Sequence, residues 1–212
     1  MKISILFLSA AIFQSLAVTG QNDLHAVKIL DSFSANALRA PSVSMKFKMV
    51  TLSLSENRSD TVNGSVVLSK DKYKLDLPEN IIWFNGETSW SYLPAEKELT
   101  ITRPGKKDHS FQNNPSEIFS MYKNGYKIRL IEDNSDSYII DLYPEDIKND
   151  LLRVRLSIGK SNMNLISLEY KKRDGVAITL QIDEYNLKLK PDPGTFVCPE
   201  RKSKEIEVID MR

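Results

Sequence analysis

About eleven short runs along this chain place an apolar residue at every second position, with polar turn residues between them. That period puts the apolar side chains of each run on one face of a pleated strand. Val43, Met45, Phe47 and Met49 alternate with polar residues, as do Tyr73, Leu75 and Leu77 with Lys72, Lys74 and Asp76. Val62, Val66 and Leu68 form a set between these two. Trp90 and Tyr92 alternate with serines, and Leu99 and Ile101 with threonines. The second half continues with Tyr126, Ile128 and Leu130, then Tyr138, Ile140 and Leu142. Leu152 to Ile158 and Ile166 to Tyr170 follow, and Val176 to Ile182 is the longest set.

Three places break the rule. Val50, Leu52 and Leu54 run out of phase with Val43 to Met49, which predicts a bulge or bend near Met49. Tyr185, Leu187 and Leu189 resume out of phase with Ile182. Ile81 to Phe84 is apolar on both faces and leads into Asn85-Gly86, a hairpin turn. Strands at this spacing predict an antiparallel meander with one buried side. About eleven of them curl into a barrel or a half-barrel.

Two segments have a different period. Asn22 or Asp23 caps a run in which Leu24, Val27, Leu30, Phe33, Ala37 and Leu38 recur at helical spacing, with Pro41 beyond its end. This predicts an amphipathic helix over Asp23 to Arg39. Arg103 to Asn114 is a polar loop. Asn114, Pro115 and Glu117 then supply a helix start, and Ile118, Phe119, Met121 and Tyr122 follow before Gly125. The two helices are candidate covers for the sheet's open face.

The N-terminus predicts export. Lys2 precedes an apolar run from Ile3 to Val18, and Val18-Thr19-Gly20 offers small residues for cleavage before Gln21. Residues 1–20 are read as a signal peptide and residues 21–212 as one domain. The cleavage point has no neighbouring cysteine to carry acyl chains, so the mature protein is expected to be soluble, in a periplasm or outside the cell. Cys198 is the only cysteine, which excludes an internal disulfide. The chain has 29 Lys plus Arg against 28 Asp plus Glu, and cleavage removes Lys2 without removing an acid. A balanced charge gives no general attraction for nucleic acid.

Little in the chain points to catalysis. His25, His109 and Cys198 have no zinc-like spacing, and phosphate loops, dinucleotide fingerprints and G-x-S-x-G elbows are absent. The reading is of a non-enzyme without cofactor or metal. Phe47, Trp83, Trp90, Tyr92 and Tyr122 fit an ordinary core on periodicity alone, while a half-barrel under a helical lid could keep a cavity for an apolar guest.

Several stretches together resemble the periplasmic carriers of outer-membrane lipoproteins, the LolA family. Ala26 to Ala40 with Pro41-Ser42 is similar to the family's first helix and exit, and Phe47 through Gly64 to Leu68 to its first hairpin. The segment Trp83-Phe84-Asn85-Gly86-Glu87-Thr88-Ser89-Trp90-Ser91-Tyr92-Leu93-Pro94 carries the most specific likeness. Asn114-Pro115 resembles the start of the mid-chain lid helix, and Val208 to Arg212 the C-terminal ending.

The resemblance implies an unclosed antiparallel β-barrel of about eleven strands with a helical lid, and a carrier rather than an enzyme. It implies a cavity wall at Met45, Phe47, Val66, Leu68, Tyr73, Leu75, Trp83, Trp90, Tyr92, Ile140 and Leu142. It implies a lid at Leu30, Phe33, Ile118, Phe119 and Tyr122. The expected partners are an acylated lipoprotein cargo, an inner-membrane lipoprotein-releasing transporter and an outer-membrane receptor. Nothing demands more than a monomer. The family's lid-controlling arginine falls near Lys70 here, and lysine cannot reproduce a forked contact to several carbonyls. The alternative reading is a lipid-binding or lipoprotein-sensing regulatory protein of the same fold.

Overall fold

The structure, a computed structural model, describes residues 22–103, 111, 114–199 and 205–212. The expected signal peptide and His109 lie outside the described residues.

Helix α1 (Leu24–Arg39) begins where Asp23 accepts hydrogen bonds from the His25 and Ala26 amides at 2.9 and 3.2 Å. These satisfy two of the amides that a helix start leaves unpaired. It ends at Ala40, which is extended as the residue before a proline must be. Ala26, Ile29, Leu30, Phe33 and Ala37 are buried along one stripe.

The strands are β1 (Val43–Ser53), β2 (Arg58–Ser69), β3 (Lys72–Asp76), β4 (Ile81–Phe84), β5 (Ser89–Leu93) and β6 (Glu98–Thr102). They continue as β7 (Tyr126–Asp133), β8 (Ser137–Pro144), β9 (Leu151–Gly159), β10 (Leu165–Lys172), β11 (Val176–Asn186) and β12 (Glu207–Asp210). All twelve join one sheet in the order β12-β6-β5-β4-β3-β2-β1-β11-β10-β9-β8-β7. Strands β7 and β12 do not pair with each other, so the barrel is unclosed. Every pairing is antiparallel except that of β12 with β6. The eleven strands read from alternation are present. The twelfth was not anticipated, since Glu207–Asp210 is exposed throughout and has no buried face to mark it. The β7 edge is met by the two residues before α1: the Asp23 amide donates to the Ile128 carbonyl, and the Ile128 amide to Asn22.

The main core lies between α1 and the inner face of β1–β4 and β7–β11. The apolar face then changes sides. Trp83 pairs with Trp90, which pairs with Ile101, and Ile81 pairs with Tyr92, which pairs with Leu99. These residues face away from Ile82 and Leu75, and Cys198, Val197 and Ile206 cover them as a second core. Strand β4 is apolar on both faces because it belongs to both cores.

Two phase readings are corrected. No bulge interrupts β1 at Met49, because its pairing with β2 is unbroken from Val43 to Ser53. Val50, Leu52 and Leu54 follow the outward parity of the same strand, and Leu54 is 65 % exposed. The extra residue is Asp183 in β11, skipped between the Lys46–Glu184 and Phe47–Ile182 pairs. It accounts for the phase change before Tyr185. Ile166 and Leu152 are skipped in the same way, so Leu165 and Leu151 take the inward positions. The expected mid-chain helix is two 3₁₀ turns, Pro115–Phe119 and Met121–Lys123, with Ser120 between them. Asn114 makes no side-chain cap there.

Candidate functional site

The inner wall is built by cross-strand pairs. Met45 faces Val66 and Val66 faces Leu75, while Leu68 faces Tyr73 and Val154 joins Leu142 to Tyr170. Met45, Phe47, Val66, Leu68, Tyr73, Leu75, Ile140 and Leu142 are all buried in this one cluster. Gly64 is required beside Phe47, because a Cβ there would stand 2.8 Å from the Phe47 ring and 2.7 Å from Leu77.

Leu30, Phe33, Ile118, Phe119 and Tyr122, expected as the lid, are buried against the same wall. The Phe33 and Phe119 rings meet at 5.2 Å between centroids. The Tyr122 hydroxyl donates to Asp31 at 2.6 Å, tying the second 3₁₀ turn to α1. Burial, together with the bond to Asp31, pushes this phenol up to about 12.

Trp83, Trp90 and Tyr92 are not part of this wall. The register sets them on the opposite face, under the C-terminal segment. Their alternation was read correctly, but alternation does not say which face looks inward once both are covered. Lys70 occupies the two-residue turn between β2 and β3 with φ +55°. It lines a crevice of about 510 Å³ with Ser116 and Phe119 of the first 3₁₀ turn and Ala37 to Ser42.

Beyond these turns the wall borders a second cleft. A cleft of about 320 Å³ is lined by Met49, Phe111, Tyr126, Leu151, Tyr170, Ile178 and Leu180. Asn149, Asp150 and Lys172 form its rim. Phe111 stands edge-on to Phe47 at 5.8 Å. Burial first, and then the Glu117 charge, push the Tyr126 and Tyr170 phenols above their ordinary range. Sequence reading placed Met49, Tyr126, Tyr170, Ile178 and Leu180 on strands without assigning them to a cavity, and left Phe111 in a polar loop. Periodicity marks an inward side chain, and only the packing around it decides whether anything covers it. Among the described residues no group of three or more His, Cys, Asp or Glu is placed to hold a metal ion. The site presents an apolar wall packed against α1 and the two 3₁₀ turns.

Residues 18–175 match the family model for outer membrane lipoprotein carrier protein LolA. No curated protein matches the chain in sequence. Among solved structures, the fold is similar to an uncharacterized conserved protein from Thermus thermophilus, with 12 % identity and a TM-score of 0.59. That match covers 88 % of this chain and 99 % of the other. A LolA superfamily protein from Nitrosomonas europaea matches at 15 % identity and a TM-score of 0.44, over 82 % of this chain and 97 % of that one. A putative outer membrane lipoprotein-sorting protein domain from Vibrio parahaemolyticus matches at 12 % identity and a TM-score of 0.46, over 82 % and 96 %.

Proposed function

The chain belongs to the outer membrane lipoprotein carrier family, LolA, and on that premise we propose that it carries an acylated lipoprotein through the periplasm. The cargo comes from an inner-membrane lipoprotein-releasing transporter and passes to an outer-membrane receptor. The protein shields the acyl chains on its inner face and catalyses no reaction. The observation that carries this reading is the lid. Phe33, Phe119 and Tyr122 pack on an apolar wall that continues into an apolar cleft.

The energetics fit a reversible carrier. Each buried methylene is worth about 0.8 kcal/mol, so a free acyl chain does not cross water unaided. The closed lid already buries its own apolar side chains on the wall. Net affinity is therefore the difference between guest burial and lost lid packing, which keeps release within reach.

Uptake of a fluorescent diacylated peptide by the purified mature protein tests the proposal. Saturable binding is expected, with weakening by Phe47→Gln while the far-ultraviolet dichroism is unchanged. A folded protein that takes up no acylated peptide at any concentration overturns it.

A further inference from the structure

The crevice beside Lys70 is separate from the apolar cleft. The two share no lining residue, and the crevice is the larger, about 510 Å³ against about 320 Å³. It falls in the seam where the end of α1, the start of β1, the β2–β3 turn and the first 3₁₀ turn converge. Its floor is apolar, with Ala37, Val43, Leu68 and Phe119 all buried there. Leu38 stands at the lip, off the buried stripe of α1, and is 64 % exposed. A ligand chain lying in the crevice would cover it.

The charges at this crevice have one sign. Arg39 and Lys70 line it, and among the described residues no carboxylate does. Neither cation is ion-paired among the described residues. The acids nearest to them in sequence turn elsewhere. The Asp71 carboxylate lies against Gly86, where a Cβ would stand 2.6 Å from its oxygen, and Asp31 accepts the Tyr122 hydroxyl. The two serine hydroxyls add no donor: Ser42 donates to the Leu189 carbonyl at 2.6 Å and Ser116 to the Asn114 side chain at 2.9 Å. A guest head therefore meets two cationic donors and no anionic side chain. The C-terminal end of α1 carries a partial negative charge that Arg39 offsets, which leaves Lys70 as the unopposed cation.

One unopposed charge suits a singly charged head. A volume inside the roughly 300–1,000 Å³ range of small-molecule sites suits a single chain. We infer that the crevice binds one long-chain carboxylate, a free fatty-acid anion, with its chain along Leu38, Leu68 and Phe119 and its head at Lys70. This goes beyond the carrier reading, because the ligand has no protein part and lies outside the cleft.

The test is calorimetric titration of the purified mature protein at neutral pH with dodecanoate, dodecanol and dodecyltrimethylammonium, each below its micellar concentration. Dodecanoate, ionised at that pH, is expected to bind at one saturable site and at least about tenfold more tightly than either of the others. Lys70→Asn removes the charge and suits the left-handed backbone there, at φ +55°. It should weaken dodecanoate about tenfold and leave dodecanol unchanged. Leu38→Asp puts a carboxylate at the exposed lip and should abolish dodecanoate binding. Lys48→Gln, exposed on the outward side of β1, should not alter it. Far-ultraviolet dichroism establishes that each variant is folded. Equal affinity for the three amphiphiles, or dodecanoate binding unaffected by Lys70→Asn, overturns the inference. Uptake of the diacylated peptide without dodecanoate binding overturns it and leaves the carrier reading intact. Dodecanoate binding without peptide uptake does the reverse.

Discussion

Asp141 is 1 % exposed although it lies on the outer face of β8. Arg155 holds it with two hydrogen bonds of 2.7 and 2.9 Å, and the Tyr143 hydroxyl donates to it at 2.9 Å. Arg153 lies 3.6 Å away and also pairs with Glu169. Burial alone would raise the Asp141 carboxyl. The bonds from Arg155 and Tyr143 and the charges of both arginines outweigh it and hold the carboxyl below its ordinary 3.8. A depressed pKa contributes stability above the unfolded value, and that contribution is lost as pH falls through the folded value. Asp141→Asn should therefore cost about 2 kcal/mol in urea unfolding at neutral pH. The gap to the unsubstituted protein should narrow below pH 3.8. A gap independent of pH would show that the carboxylate charge does not matter. Gly64→Val tests the close approach at Phe47 and should destabilise by about 1–3 kcal/mol. Gly64 and Asp141 were both visible as residues, but neither contact was. Each depends on a partner in another strand.

At the scale of elements, the Phe33–Phe119 ring contact and the Tyr122–Asp31 hydrogen bond help hold the 3₁₀ turns to α1, besides their apolar burial. Tyr122→Phe removes the hydrogen bond and keeps the ring. It should cost about 1 kcal/mol, locally rather than globally. The expected signature is faster amide exchange in α1 and faster uptake of an acylated probe, with little change in the urea midpoint. Unchanged uptake kinetics would mean that the bond to Asp31 does not restrain the lid. The elements were largely legible in advance: helix α1 from its cap and stripe, and eleven strands from alternation. Phase was not. The skipped residues Ile131, Leu152, Ile166 and Asp183 shift the pairing by one, and no local pattern distinguishes a skipped residue from a change of face. The 3₁₀ form of the mid-chain turns was also hidden, because Asn114, Pro115 and Glu117 suit either kind of helix start.

Across the whole molecule, two apolar layers lie on opposite faces of one sheet. The inner layer holds α1, the 3₁₀ turns and the cleft, and the outer one holds Trp83 and Trp90. Filling the cleft should leave tryptophan emission unchanged, and Trp90→Phe should leave uptake unchanged where Phe47→Gln weakens it. A large emission shift on ligand binding would show that the two layers are coupled. Deleting residues 205–212 removes Ile206 from the outer layer and β12 from the β6 edge. A red-shifted emission and concentration-dependent self-association are expected, since an uncovered edge strand is a pairing template. The sequence by itself determined the strands, the first helix and the class of fold, because period, caps and turns are local properties of the chain. Only the tertiary structure decided that Trp83, Trp90 and Tyr92 belong to a different layer from Phe47. It alone decided that β12 pairs in parallel, and that a cleft lies beside Tyr126 and Tyr170. Which face of a strand is inward, and what covers it, depends on residues far away in the chain, and alternation carries no information about them.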